Sequence, residues 1–157
     1  MTGSPDLIEP TLEDVQQARP VIETHVLRTP LRHYPVLSDL LDADVWVKHE
    51  NYQLLGAFKV RGGINLVSQS SQDERERGFV TASSGNHGQS IAYAARTFGA
   101  ACTVVLPKGA NSAKAGAIAS LGANLLFHGD VFERAREHAE HLAETEGMRF
   151  VHAANEP

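Results

Sequence analysis

The stretch Phe79-Val80-Thr81-Ala82-Ser83-Ser84-Gly85-Asn86-His87-Gly88-Gln89, continuing through Ser90-Ile91-Ala92-Tyr93-Ala94-Ala95-Arg96-Thr97-Phe98, decides the fold. Phe79 to Ala82 reads as a strand buried on both faces, and Asn86 to Phe98 as a helix that starts after a short polar turn. The same unit recurs downstream: Cys102 to Leu106 as a strand, Ser112 to Leu121 as a helix, Asn124 to Phe127 as a strand, Val131 to Glu146 as a helix, and Arg149 to His152 as a last strand. Strict alternation of strand and helix implies right-handed crossovers and an α/β fold, an open parallel sheet flanked by helices. Gly99, Gly122 and Gly147 each fall just past a helix, where a left-handed residue is expected.

Upstream the pattern is less regular. Thr11 opens a helix with Glu13 and Asp14 in its first turn and Val15, Ala18, Val21 and Ile22 as apolar positions, and Pro20 is expected to end or bend it. A loop then runs through Thr29-Pro30 and Tyr34-Pro35. Ser38 to Leu41 reads as a short helix, Val45 to Lys48 as a strand, and Lys59 to Ser70 as a helix.

The bulk composition narrows the function. A chain of 157 residues, 42% hydrophobic, builds one core, or one compact domain with part of a second. Its formal charge of -5 comes from 14 basic and 19 acidic residues scattered along the chain, with no basic stripe, which excludes nucleic acid as a partner. Residues 1–10 contain no leader pattern, and no apolar run approaches the length of about 18 residues that a membrane helix needs. The expectation is a cytoplasmic protein without a membrane partner. Cys102, the single cysteine, sits in the apolar run 100–106 and reads as a core thiol, so neither an intrachain disulfide nor a cysteine-based zinc site is available. His138 and His141 lie three apart on a helix, but Glu133, Arg134, Arg136, Glu137 and Glu140 around them mark a solvated face, and no metal is expected. Trp46 and Tyr52 read as packing residues.

Two loops carry chemistry. Ser83-Ser84-Gly85-Asn86-His87-Gly88 joins a strand's carboxyl end to a helix's amino end, so amides and hydroxyls converge at the positive end of a helix dipole and suit a carboxylate. A capped helix behind a glycine turn would use half of the same residues. The other loop, Gly56-Ala57-Phe58-Lys59-Val60-Arg61-Gly62-Gly63, places a lysine at a helix start. There the dipole favours the neutral amine, the form that attacks an aldehyde cofactor. Alone, a lysine beside an arginine is an ordinary solvated pair.

Together the loops resemble the fold-type II pyridoxal-phosphate (PLP) enzymes, in the threonine dehydratase (threonine ammonia-lyase) and serine racemase branch. Lys48-His49-Glu50-Asn51-Tyr52-Gln53 through Gly56-Ala57-Phe58-Lys59-Val60-Arg61-Gly62 is similar to the family's lysine motif, and Ser83 to Gln89 to its asparagine loop. Val104-Val105-Leu106-Pro107, Lys114 and Gly122-Ala123 fit the family's subsequent strands and helices. The resemblance implies that Lys59 forms the Schiff base with PLP and acts as acid and base at the substrate's α-carbon. It implies that Phe58 flanks the ring and Asn86 bonds its 3′ oxygen, while Ser83, Ser84, Gly85, Asn86 and His87 hold the substrate carboxylate. Ser84 takes the place of the serine that serves as opposite-face base in racemases. The implied reaction is loss of water from threonine or serine, then of ammonia, giving a 2-oxo acid. Two positions depart from the motif: Leu55 stands where threonine is usual and Ala57 where serine is common. His87 and Phe58 set the chain apart from the cysteine synthase branch.

The family's glycine-rich phosphate-binding run, carried in the second half of its chains, has no counterpart here. The expected organisation is therefore an N-terminal portion of the family: residues 1–52 as the first piece of the large domain, 53–153 as the small α/β domain, related to the tryptophan synthase beta-like fold, and the C-terminal remainder of the large domain absent. Serine racemase and hydroxyaspartate dehydratase are alternative activities. A non-catalytic α/β module that binds a carboxylate or a partner chain is the alternative from another class, and exposed apolar surface is expected to favour self-association or a complementary fragment.

Overall fold

Buried strands organise the chain. In the computed structural model, which describes residues 9–154 and 156, β3 (Phe79–Ala82) and β4 (Cys102–Leu106) are buried along their whole length. The strand side chains alternate between two cores, as the period of two requires. Phe79, Cys102, Val104 and Leu106 face one core, built with Val60, Ile64 and Val67 of α3 (Lys59–Gln69), Ile91, Ala94 and Ala95 of α5 (Asn86–Thr97), and Ile118 of α6 (Ser112–Ser120). Val80, Ala82 and Val105 face the other, closed by Ala135, Ala139 and Leu142 of α7 (Phe132–Glu146). Each fully buried Val, Ile, Leu or Phe contributes about 1.5–3 kcal/mol relative to exposure. Cys102 belongs to the first core, and burial pushes its thiol up to about 12, the behaviour of an inert core thiol.

The four-stranded sheet is parallel throughout, in the order β5-β4-β3-β6, with β5 at Asn124–Phe127 and β6 at Arg149–Phe150. The α/β fold expected from the alternation is thus present, and its elements lie within a few residues of the expected ones. Gly99, Gly122 and Gly147 have φ of 70°, 95° and 71°, the left-handed geometry their positions called for.

Several upstream readings are corrected. The helix α1 (Leu12–His25) runs through Pro20 instead of ending there, because Val21 and Ile22 pack against the core and Val26 is buried in it just beyond the last turn. The segment after Thr29-Pro30 is not all loop. Leu31–His33 forms β1, antiparallel to β2 (Trp46–Lys48), with Tyr34 N–H donating to Val45 O and His49 N–H to Pro30 O at its ends. The short helix α2 spans Pro35–Leu41, its proline in the first turn. A 3-10 turn at Glu50–Tyr52 and the helix α4 (Gln72–Arg77) were not anticipated. Trp46 and Tyr52 pack as expected, Trp46 against His33 with ring centroids 5.1 Å apart and Tyr52 stacked on His49 at 5.7 Å, but at the surface, 56% and 60% exposed.

Candidate active site

The strand order reverses at β3. The chain proceeds from β3 outward to β4 and β5, then returns across the opposite face through α7 to place β6 on the other side of β3. In open α/β sheets the crevice beyond the carboxyl ends of strands at such a reversal is where ligands bind. Both chemical loops reach this point. Ser83 to Gly88 leaves the end of β3, and the Lys59 amine reaches the segment that follows β6, donating to Ala153 O at 3.0 Å.

Lys59 occupies the first position of α3 and lines a cleft of about 1020 Å³ together with Phe58, Gly62, His87, Ser90 and Ala153. Phe58 is 61% exposed, a ring face without a partner in the core. The start of α3 is held from behind by Arg61. Its Nε donates to Glu50 Oε2 at 2.9 Å, and its Nη2 to Glu50 Oε1 at 2.9 Å and Leu27 O at 3.2 Å. Thr29 Oγ1 donates to the same carboxylate at 2.5 Å. The Arg61 guanidinium holds the Glu50 carboxyl below its ordinary value. Gln53 adds a second tie, accepting from Leu27 N–H at 3.0 Å and donating to Leu27 O at 2.8 Å. Arg61 is therefore no solvated neighbour of Lys59. Glu50, Gln53 and Arg61, to which the sequence pattern alone assigns no role, fasten residues 27–29 to the lysine helix.

The asparagine loop is shaped by close packing. A Cβ on Gly88 would meet Ser83 O at 2.7 Å, so glycine is required where α5 starts against the strand end. Gly85 is different: nothing lies within 4 Å of a Cβ placed there, leaving open space above the loop. Ser83 is buried and its hydroxyl accepts from Gly85 N–H at 3.2 Å. Ser84 is half-buried and Asn86 exposed, and among the described residues neither side chain makes a hydrogen bond. His87 turns away from the open side of the loop. Its Nε2 lies 3.0 Å from Thr81 Oγ1 and 3.3 Å from Val151 O, and Thr81 Oγ1 itself donates to Val151 O at 2.8 Å. Burial, with the charge of Lys59 as a further contribution, holds the ring below its ordinary value of 6.5. The His87 ring is thus directed to the sheet through Nε2, while its backbone amide lies at the amino end of α5. The structure brings Lys59, Phe58 and His87 to one cleft, whereas Ser83, Ser84, Gly85 and Asn86 do not line it and stand beside it at the end of β3.

These residues fit an aldehyde cofactor: a lysine amine whose bond among the described residues is to a neutral carbonyl faces a cleft, and a helix amino terminus with open space at Gly85 stands at the same end of the sheet. The chain belongs to the family of pyridoxal-phosphate dependent enzymes, which it matches over residues 22–157. Within that family it is 40% identical over 147 residues to the L-threonine ammonia-lyase of Thermotoga maritima, covering 94% of this chain and 37% of the relative. It is 35% identical over 151 residues to the L-threo-3-hydroxyaspartate ammonia-lyase of Saccharomyces cerevisiae, covering 96% and 46%. The structure of serine racemase from Dictyostelium discoideum superposes with a TM-score of 0.83 at 33% identity, over 90% of this chain and 46% of that one. The chain spans less than half the length of these relatives. Among the described residues, no helix is long and apolar enough to cross a membrane.

Proposed function

We propose that this chain carries the cofactor lysine and the carboxylate-binding loop of a PLP-dependent ammonia-lyase acting on threonine or serine. The observation that carries the reading is the placement of the Lys59 amine at the strand-order reversal, over the cleft and beside the amino end of α5. Lys59 is assigned as the covalent anchor and as the group that moves a proton at the α-carbon. Phe58 offers its exposed face to the ring, and the free amide of Asn86 suits its 3′ oxygen. Backbone amides of Ser84 to His87, with the Ser83 and Ser84 hydroxyls, receive the substrate carboxylate at the positive end of α5. PLP, when bound, supplies an electron sink for the α-carbon. Loss of the α-proton and the β-hydroxyl as water leaves an enamine, whose imine tautomer is hydrolysed by a water molecule to a 2-oxo acid and ammonia. The Ser84 hydroxyl, which makes no hydrogen bond among the described residues, supports serine racemase as a second reading, since a proton donor on the opposite side of the α-carbon is what inversion requires.

Residues 1–52 are assigned to a larger domain and 53–153 to the small one. Leu31, Val36, Leu40, Leu41 and Trp46 are each more than half exposed, an apolar surface that suits the rest of that larger domain, as a complementary chain or a second copy. The test is a titration of the chain with PLP beside Lys59→Ala. A weak visible absorbance band that depends on Lys59 is expected, because the lysine is present and the phosphate-binding run has no counterpart here; equal spectra for the two proteins would overturn the reading that this chain binds PLP by itself. Chiral analysis of product from serine then separates lyase from racemase.

A further inference from the structure

We propose that His87 is a positioning residue: with its hydrogen on Nε2, its ring ties the first turn of α5 to the strand end that also holds Lys59, so that lysine and loop are set against each other through residues 151–153. This rests on the reading of Lys59 and the 83–88 loop as one site.

The hydrogen bonds close a circuit. Lys59 Nζ donates to Ala153 O at 3.0 Å, two residues along the chain from Val151, whose carbonyl lies 3.3 Å from His87 Nε2. Three residues further along α5, on the same helix face, Ser90 Oγ donates to Lys59 O at 2.6 Å. The circuit thus leaves Lys59 by its amine and returns to its carbonyl. Val151 is itself fixed to the sheet, its N–H donating to Val80 O at 2.9 Å and its carbonyl accepting from Thr81 Oγ1 at 2.8 Å. Rigid strand, loop and lysine helix therefore share one reference point.

The direction of the hydrogen follows from the partners. Val151 O can only accept, and the Thr81 hydroxyl hydrogen is already directed to it. With that hydroxyl donating to Val151 O, both contacts of His87 Nε2 are satisfied together by a hydrogen on Nε2, which leaves Nδ1 as a lone pair. Among the described residues the titratable groups whose charge acts on the ring are Lys59 of α3 and His152 after β6, and each opposes a second proton there. A glutamine side chain retains a hydrogen-bond donor at the end of a similar reach, and a leucine retains bulk without a donor.

The first measurement needs no variant and no cofactor: long-range 1H–15N NMR of the histidines in the chain 1–157. At pH 7 the expected His87 signal is the neutral tautomer with hydrogen on Nε2. A ring carrying its hydrogen on Nδ1, or a cationic ring, overturns the proposal. The second measurement is hydrogen exchange at the Gln89 and Val151 amides, which bond to Gly85 O and Val80 O. Exchange is expected to accelerate about ten-fold in His87→Leu and to stay within about three-fold of wild type in His87→Gln. Identical exchange in both variants overturns the proposal. If the leucine variant does not fold, the tautomer and the glutamine variant still decide. Neither measurement involves PLP, so a failed PLP titration strikes the proposed function and leaves this inference standing, and a wrong tautomer does the reverse.

Discussion

Substituting Gly63 by alanine should destabilise the protein even though alanine is the better helix former. Gly63 lies in α3 against Ser90 of α5, and a Cβ there would stand 2.3 Å from Ser90 Oγ, 2.8 Å from Ser90 O and 3.0 Å from its carbonyl carbon. Two of the three contacts are backbone, so no rotamer relieves them and the helices must move apart. That movement also strains the bond from Ser90 Oγ to Lys59 O at 2.6 Å. Overpacking costs about 1–3 kcal/mol, the lost hydrogen bond about 1 kcal/mol, and the helix-propensity gain returns about 1 kcal/mol. The net expectation is a loss of about 2 kcal/mol. Gly62→Ala is the control one residue away, where the added Cβ meets nothing within 4 Å, and should gain about 0.5–1 kcal/mol. With a urea slope of about 2 kcal/mol/M, the midpoints of the two variants should differ by about 1–1.5 M, followed by circular dichroism. Adding Ser90→Ala to Gly63→Ala should recover only part of the loss, because the backbone contacts persist. If Gly63→Ala unfolds at the same urea concentration as Gly62→Ala or above it, the close approach of α3 and α5 is wrong.

Arg61→Gln, which leaves Glu50 half-buried without its ion-pair partner, should lose about 1–3 kcal/mol at pH 7 in the same assay. The Glu50 carboxyl is depressed chiefly by Arg61, so its stabilisation is present above the ordinary value of 4.5 and fades as pH falls through the lower folded value. Wild type and variant should therefore converge on acidification, and a gap that stays constant with pH refutes the pairing. Gly147→Ala places a side chain at φ 71° and brings a Cβ within 3.3 Å of Arg77 Cδ, and should lower stability by about 1 kcal/mol, opposite in sign to Gly62→Ala.

Much of the sheet was legible because its signals are local. Phe79 to Ala82 and Cys102 to Leu106 are continuous apolar or β-branched runs that suit only a strand covered on both faces. The helix α4 was legible too, though missed: Ser71 and Glu74 form a capping box, a pattern visible in the sequence as Ser71-Gln72-Asp73-Glu74. By contrast β1 has three residues with no periodicity of their own and exists only through its pairing with β2, and α1 survives Pro20 only because of what Val21, Ile22 and Val26 touch.

The same division runs through the site. The sequence by itself determined which groups are present: a lysine at a helix start, a serine-rich turn before another helix, and the glycines that let backbones meet. Tertiary structure alone decided that β6 lies beside β3 and not beyond β5, and that Lys59 reaches a carbonyl 94 residues away. It also decided that His87 points inward to Thr81 and Val151 and that Arg61 belongs to Glu50. The physical reason is range. Propensity, capping and hydrophobic period act over a few residues and leave their mark on composition, whereas strand order and side-chain direction are set by contacts between segments that no local pattern joins.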